Sequence, residues 1–288
     1  MENILYFDIN SGISGDMTIG ALLDLGVDHD RFKAELAKLN LDEYSLEITK
    51  KKKNGITGTD FKVILNEKGC NCNHEAHDDK GDSHNCCQGK AGHHDHNHGH
   101  SNSNNHRQKN NHSHQHSHNR NFNDIKSLIN ESSLNDSVKE LSIEIFEKVA
   151  RAEAKVHDQD IAEVHFHEVG AVDSIVDIVG TAILIEILKP DHIYSSRIPL
   201  GTGFVNADHG KIPVPAPATI EILKDVPVYS NGIKSELVTP TGAAIIKTLA
   251  EDFIPLPELN IEIIGYGTGK KELEITNILR VYQAKKKE

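Results

Sequence analysis

Between Gly69 and Asn121 the chain carries thirteen of its nineteen histidines and all four of its cysteines, with no Val, Ile, Leu, Met, Phe, Tyr or Trp. Such a stretch has no apolar surface to bury, so nothing offsets an ordering cost of roughly 1–2 kcal/mol per residue. It is expected to be disordered without metal, and it divides the chain into three parts. Residues 1–68 read as the N-terminal part of an α/β core, with α+β as the alternative, residues 69–121 as a His/Cys-rich metal-binding loop, and residues 122–288 as the remainder of the core.

Two runs dominate the loop: His93, His94, His96, His98 and His100, then His112, His114, His116 and His118. Imidazoles at nearly every second position on an unanchored chain wrap a metal in several ways and exchange it quickly. Histidine-dominated sites suit nickel, zinc and copper. Cys70 with Cys72 and the adjacent Cys86 and Cys87 lack the paired C-x-x-C spacing of a structural zinc site. The plainer alternative is a low-complexity linker that drifted toward histidine.

Outside Cys70–Arg120 about 237 of the 288 residues remain, enough for one large or two small domains. The formal charge of −12 belongs to that remainder, because the five acids and five bases of the excluded stretch cancel. An acidic body argues against a nucleic-acid or anionic-membrane surface. Met1-Glu2-Asn3 runs straight into a strand-like segment, and no apolar run reaches the roughly 18 residues that a membrane span needs. A soluble cytoplasmic protein with reduced thiols is expected, with a homo-oligomer as its assembly.

Strand and helix periodicities alternate along the rest of the chain. Ile4–Asp8 reads as a strand, Met17–Leu25 and Asp30–Leu39 as helices, and Tyr44–Lys50 and Ile56–Leu65 as strands joined by an Asn54-Gly55 turn. Helical spacing returns over Asn135–Val156, a brief strand is expected at Val164–His167, and Ala171–Leu188 is a helix apolar around nearly its whole circumference. Further strands are expected at His192–Ser196, Val226–Tyr229, Ile261–Tyr266 and Ile278–Tyr282, and helices at Pro217–Leu223 and Gly242–Ala250.

Asp173 and Asp177 stand four residues apart on one face of that apolar helix, with Gly180 and Thr181 continuing the stripe. Carboxylates so buried must meet a metal, another cation or the positive end of a helix; a helix-start cap and a salt bridge are the ordinary alternative. Just upstream, His165 and His167 share a strand face, with Glu168 at the turn into the helix, a plausible metal site. The loop from Asp8 to Asp16 leaves a strand and opens a helix, so Ser11, Gly12, Ser14 and Gly15 let backbone N–H groups approach an anion, with Asp8 and Asp16 holding a divalent ion over a phosphate. Gly201–Phe204 with Asp208-His209-Gly210, and Thr239-Pro240-Thr241-Gly242, read as site-lining loops, with Thr241 capping a helix. Ile212–Pro217 reads as a stiff wall.

These motifs resemble the LarC family: Phe7-Asp8 with Ser11–Met17, Glu163–Gly180, His209-Gly210 with Pro213–Thr219, Thr239–Ala244 and Gly265-Tyr266-Gly267, in order over everything but the His-rich tract. The resemblance implies a nickel chelatase of the lyase class. It inserts Ni(II) into pyridinium-3,5-bisthiocarboxylic acid mononucleotide, giving the nickel-pincer cofactor of lactate racemase, and depends on CTP with Mg or Mn. Family members continue beyond the Gly-Tyr-Gly region with a domain of about a hundred residues or more, an ordinary domain size, associated with CTP binding. The present polypeptide is therefore expected to be the N-terminal portion, with the C-terminal LarC portion made separately or by frameshifting.

The resulting expectation is that the tract gathers nickel and passes it to ligands near His165 and His167, with Asp8, Asp16, Asp173 and Asp177 as catalytic carboxylates. The precursor's phosphate sits on the loop ending at Asp16. Two rival readings stand beside it: a nickel storage protein or metallochaperone without catalysis, and a metal-dependent phosphate-ester hydrolase.

Overall fold

Turn chemistry and burial account for most of the elements that form. The computed structural model describes residues 2–66, 120–164, 166, 171–207 and 210–286, all within one compact unit built from chain on both sides of the tract. β1 (Asn3–Asp8) leads into α1 (Gly15–Asp24) and α2 (His29–Ala37), and β2 (Tyr44–Lys53) and β3 (Ile56–Leu65) form a hairpin. Asn54 and Gly55 take φ of 45° and 88°, the hand that a two-residue turn between twisted strands requires.

After the tract come α3 (Phe122–Glu131), α4 (Asp136–His157), α5 (Val172–Leu188), β4 (His192–Ser195) and β5 (Ile198–Leu200). There follow β6 (Phe204–Ala207), β7 (Gly210–Pro213), α6 (Pro217–Ile222), β8 (Val228–Ser230), α7 (Pro240–Leu249), β9 (Asp252–Phe253), β10 (Leu259–Thr268) and β11 (Ile278–Lys286).

Seven strands make a mixed sheet in the order β2-β3-β10-β11-β1-β4-β9, confirming the α/β class. β1 runs antiparallel to β11 and parallel to β4, and its Ile4, Leu5, Tyr6 and Phe7 are all buried. α1 lies directly on β10: a Cβ added at Gly265 would fall 2.0 Å from the Ala21 carbonyl oxygen, and one at Gly267 would fall 1.9 Å from that of Met17. The Gly-Tyr-Gly motif is thus a bare track for a helix. α5 packs against α1, α2, α4 and α7, and its Ile175, Val176, Ile178 and Val179 have no exposed surface. Its apolar circumference reflects neighbours on every side.

Several elements depart from the sequence reading. α3 was not anticipated, although Asn121 and Asp124 close a reciprocal capping box at its start. Phe204–Ala207 and Gly210–Pro213 form an antiparallel hairpin where loops were expected. Val164 and Phe166, expected in a strand, belong to no strand; both are buried, with Phe166 packed on Phe146 at 6.3 Å between ring centroids. Phe166 also donates its backbone N–H to the Arg120 carbonyl at 3.4 Å. Among the described residues no helix is long and apolar enough to cross a membrane.

Candidate functional site

Three helices begin around one space. α1 starts at Ser14, whose hydroxyl accepts from the Met17 N–H at 3.5 Å and donates to the Asp16 carboxylate. α7 starts at Thr239, which accepts from the Gly242 N–H at 3.1 Å, with Pro240 at the first helical position. α5 starts at Ala171, whose methyl group caps nothing, and carries in its first turn Asp173, which accepts from the Ser174 N–H at 2.9 Å.

Backbone ties hold the first two starts together. The Ile13 N–H donates to the Leu237 carbonyl at 2.9 Å, and the Thr239 N–H donates to the Ile13 carbonyl at 3.2 Å. Gly12 is the crossing point: its φ is 107°, and a Cβ there would fall 2.0 Å from the Leu237 oxygen.

Between the helix starts lies a cleft of about 380 Å³. α1 contributes Ser14, Gly15 and Asp16; α5 contributes Asp173, Ser174 and Asp177; α7 contributes Thr239, Pro240 and Thr241. Phe61, Lys62, Val63, Glu236 and Lys270 close the opposite side. The positive ends of three helix dipoles therefore meet a group of acidic side chains.

Asp177 is the most perturbed member. A Cβ on Gly15 would fall 2.4 Å from its Oδ2, so only glycine admits this approach. The Asp16 backbone N–H favours its ionised form, yet its Oδ1 is shut off from solvent and has no hydrogen-bond partner among the described residues. Burial above all, then the charges of Asp16 and Asp173, push its pKa well above the usual carboxylate range, against the pull of Lys270 and the Asp16 amide. Lys270 Nζ donates to Asp60 Oδ1 at 2.9 Å and to the Phe61 carbonyl at 2.7 Å, and lies 3.6 Å from Asp16 Oδ2. Glu236 is paired with Lys271 at 3.0 Å.

Of the residues singled out in sequence, Ser14, Gly15, Asp16, Asp173, Asp177 and Thr241 come together in the cleft. Asp8 does not join them; its carboxylate accepts from the Tyr282 hydroxyl and the Asn10 amide and pairs with Arg280. Ser11 donates to the Thr276 carbonyl at 2.7 Å, and Gly12 serves the backbone crossing. Thr241 lines the cleft, while the cap expected of it is made by Thr239. His165, His167 and Glu168, the tract histidines from His93 to His118, and Asp208 and His209 lie outside the described residues. Thr239 and Pro240, expected in a site-lining loop, do line the cleft, whereas Glu236 and Lys270 join it with no sequence motif to mark them.

Among the described residues, no group of three or more His, Cys, Asp and Glu side chains is set to hold a metal ion. What the cleft offers is oxygen: the carboxylates of Asp16 and Asp177 beside the hydroxyls of Ser14 and Thr241. That set fits a hard ion completed by water and ligand phosphate, not a closed site of soft donors.

A family described as nickel insertion protein matches residues 5–288. The chain is 53% identical over 280 residues to the pyridinium-3,5-bisthiocarboxylic acid mononucleotide nickel insertion protein of Clostridium acetobutylicum, covering 97% of this chain and 63% of that protein. To the proteins of the same name from Acetivibrio thermocellus and Clostridium kluyveri it is 47% identical, covering 99% and 97% of this chain and 61% of each relative. The chain thus spans about three fifths of the length of the curated relatives it matches. No solved structure matches it. Because the family pattern runs from β1 through the cleft-forming helices to the last strand, this chain belongs to the nickel insertion protein family.

Proposed function

We propose that this chain carries out nickel insertion into pyridinium-3,5-bisthiocarboxylic acid mononucleotide, with the cleft between α1, α5 and α7 as the seat of the mononucleotide. The observation that carries this reading is the meeting of three helix starts in one cavity, in a chain whose relatives are named for that substrate. Free N–H groups and hydroxyls at helix starts suit a phosphate dianion. A mononucleotide held by its phosphate keeps its thiocarboxylate sulfurs free for an incoming Ni(II).

In this account the His-rich tract collects nickel, and His165, His167 and Glu168 relay it toward the sulfurs. Each stage holds the metal loosely, because ligand exchange stops at a rigid closed site. Asp16, Asp173 and Asp177 set the charge of the cleft and hold protons or cations there, while CTP with Mg or Mn is bound mainly by a C-terminal LarC portion. The product serves lactate racemase or a similar apoenzyme.

The test is insertion of nickel into purified precursor with CTP, by the full chain alone and with a separately supplied C-terminal portion. Insertion by at least the combined system is expected, with a large loss on joint His165→Ala and His167→Ala substitution. No insertion by either arrangement, with nickel merely retained by the tract, would replace this reading with nickel storage. Phosphate release from simple esters without precursor would replace it with hydrolysis.

A further inference from the structure

We infer that the cleft holds one hard divalent cation, Mg(II) or Mn(II), on the carboxylates of Asp16 and Asp177, and that this ion seats the phosphate-bearing end of the ligand. The ion site stands on geometry alone; its service to a phosphate rests on the reading of the cleft as the mononucleotide site.

Charge sets the problem. Asp16, Asp173, Asp177 and Glu236 face one cavity with Lys62 and Lys270. Glu236 is balanced by Lys271, and Lys270 is hydrogen-bonded to Asp60 and the Phe61 carbonyl, reaching Asp16 only at 3.6 Å. A phosphate dianion drawn by the helix starts therefore meets carboxylates that the protein leaves without full compensation. A divalent ion between them turns that repulsion into two attractions.

The orphaned oxygen supplies the independent observation. Among the described residues Asp177 Oδ1 has no partner, and solvent does not reach it, a state that costs free energy until a proton or cation arrives. The Asp16 amide favours its ionised form, and the bare Cα of Gly15 lets α1 approach it. The fold thus sets an unsatisfied carboxylate in the cleft wall beside Asp16, with one oxygen unfilled among the described residues. Two carboxylates with nearby Ser14 and Thr241 hydroxyls match the way Mg(II) is held, through one or two carboxylates plus water and substrate phosphate. Among the described lining residues there is no imidazole or thiol, which separates the site from the nickel cargo.

The experiment follows Mn(II) bound to the full chain by electron paramagnetic resonance, with Mg(II) as competitor, in wild type, Asp177→Asn and Asp16→Asn. The tract is identical in all three, so its contribution cancels. Wild type is expected to bind one equivalent of Mn(II) that Mg(II) displaces, at least tenfold tighter than either variant, and Mn(II) should raise the melting temperature of wild type alone. Asp177→Asn puts an uncharged amide of the same shape in place of a buried carboxyl that resists ionisation, so its ion-free melting temperature should not fall, which separates a lost site from a lost fold. Inorganic phosphate should bind wild type at least tenfold tighter with Mn(II) than without. Equal Mg-displaceable Mn(II) binding in all three proteins overturns the ion site, and so does an ion held there that Mg(II) fails to displace. Phosphate binding indifferent to Mn(II) overturns the seating role. Mn(II) bound as expected by a chain that inserts no nickel supports the ion site and counts against the proposed reaction.

Discussion

Asp8 and Asp16 stand at the two ends of one nine-residue loop, and the protein treats them in opposite ways. Asp8 is saturated: the Tyr282 hydroxyl, the Arg280 guanidinium and the Asn10 amide all converge on it. Tyr282 stacks on Tyr6 at 6.0 Å, and burial first, then the Asp8 carboxylate, raises the Tyr6 pKa to about 12 and that of Tyr282 further. Asp16 accepts from the Ser14 hydroxyl and lies 3.6 Å from Lys270 Nζ, but it borders Asp177, whose Oδ1 has no partner among the described residues. A carboxylate that serves the fold arrives with its partners, whereas one reserved for a ligand leaves lone pairs unfilled. Asp8 and Asp177 therefore predict opposite stability consequences for the loss of the carboxyl group.

The largest effect is expected from Asp177→Asn. Nickel insertion by the complete system should fall on the order of a hundredfold, the scale for losing one preorganised charged group, while urea denaturation should show stability unchanged or raised by about 1 kcal/mol. The pH dependence has a definite sign. Because the folded pKa of Asp177 lies above its unfolded value, its stabilising contribution is complete below the unfolded value and is lost as pH rises through the folded one. Wild type should therefore lose stability relative to Asp177→Asn as pH rises above about 4, and parallel curves would remove the buried-charge account. Asp8→Ala should do the reverse, costing about 1–3 kcal/mol, toward the lower figure because Arg280 is 39% exposed. Its activity per folded molecule should stay within a few-fold of wild type. If both variants lost stability equally, the distinction between the two ends would fail.

Much of this arrangement was legible in sequence because it is local. The alternating strands, the Asn54-Gly55 turn and the apolar circumference of α5 each follow from a few neighbouring residues. The stripe joining Asp173 to Asp177 likewise announced a site, because a buried carboxylate on such a helix needs a reason. What stayed hidden depends on distant chain. Asp8 and Asp16 look equivalent until β11 delivers Arg280 and Tyr282 to one of them. Lys270 follows β10 with no motif to mark it, and only the contact of that strand with β3 brings it to Asp60. At Thr239 the error was one of position: Pro at the first helical turn identifies the residue before it as the cap, and Thr241 drew attention only through its hydroxyl.

Smaller effects sharpen the contrast. Thr239→Ala should cost about 1 kcal/mol through the lost cap, whereas Thr241→Ala should leave stability nearly unchanged and weaken ligand binding, measured by calorimetry against the precursor.

The smallest effect belongs to Tyr282→Phe. The ring and its stack on Tyr6 remain, and Asp8 keeps Arg280 and Asn10, so only one hydroxyl donor is lost. The cost should be about 0.5–1.5 kcal/mol, less than that of Asp8→Ala. Mn(II) binding should be unchanged, since neither Asp8 nor Tyr282 lines the cleft. Equal losses from Tyr282→Phe and Asp8→Ala would mean that the tyrosine alone anchors this end of the loop, with the guanidinium contributing nothing. Altered Mn(II) binding would mean that the loop transmits strain from its saturated end to its open one.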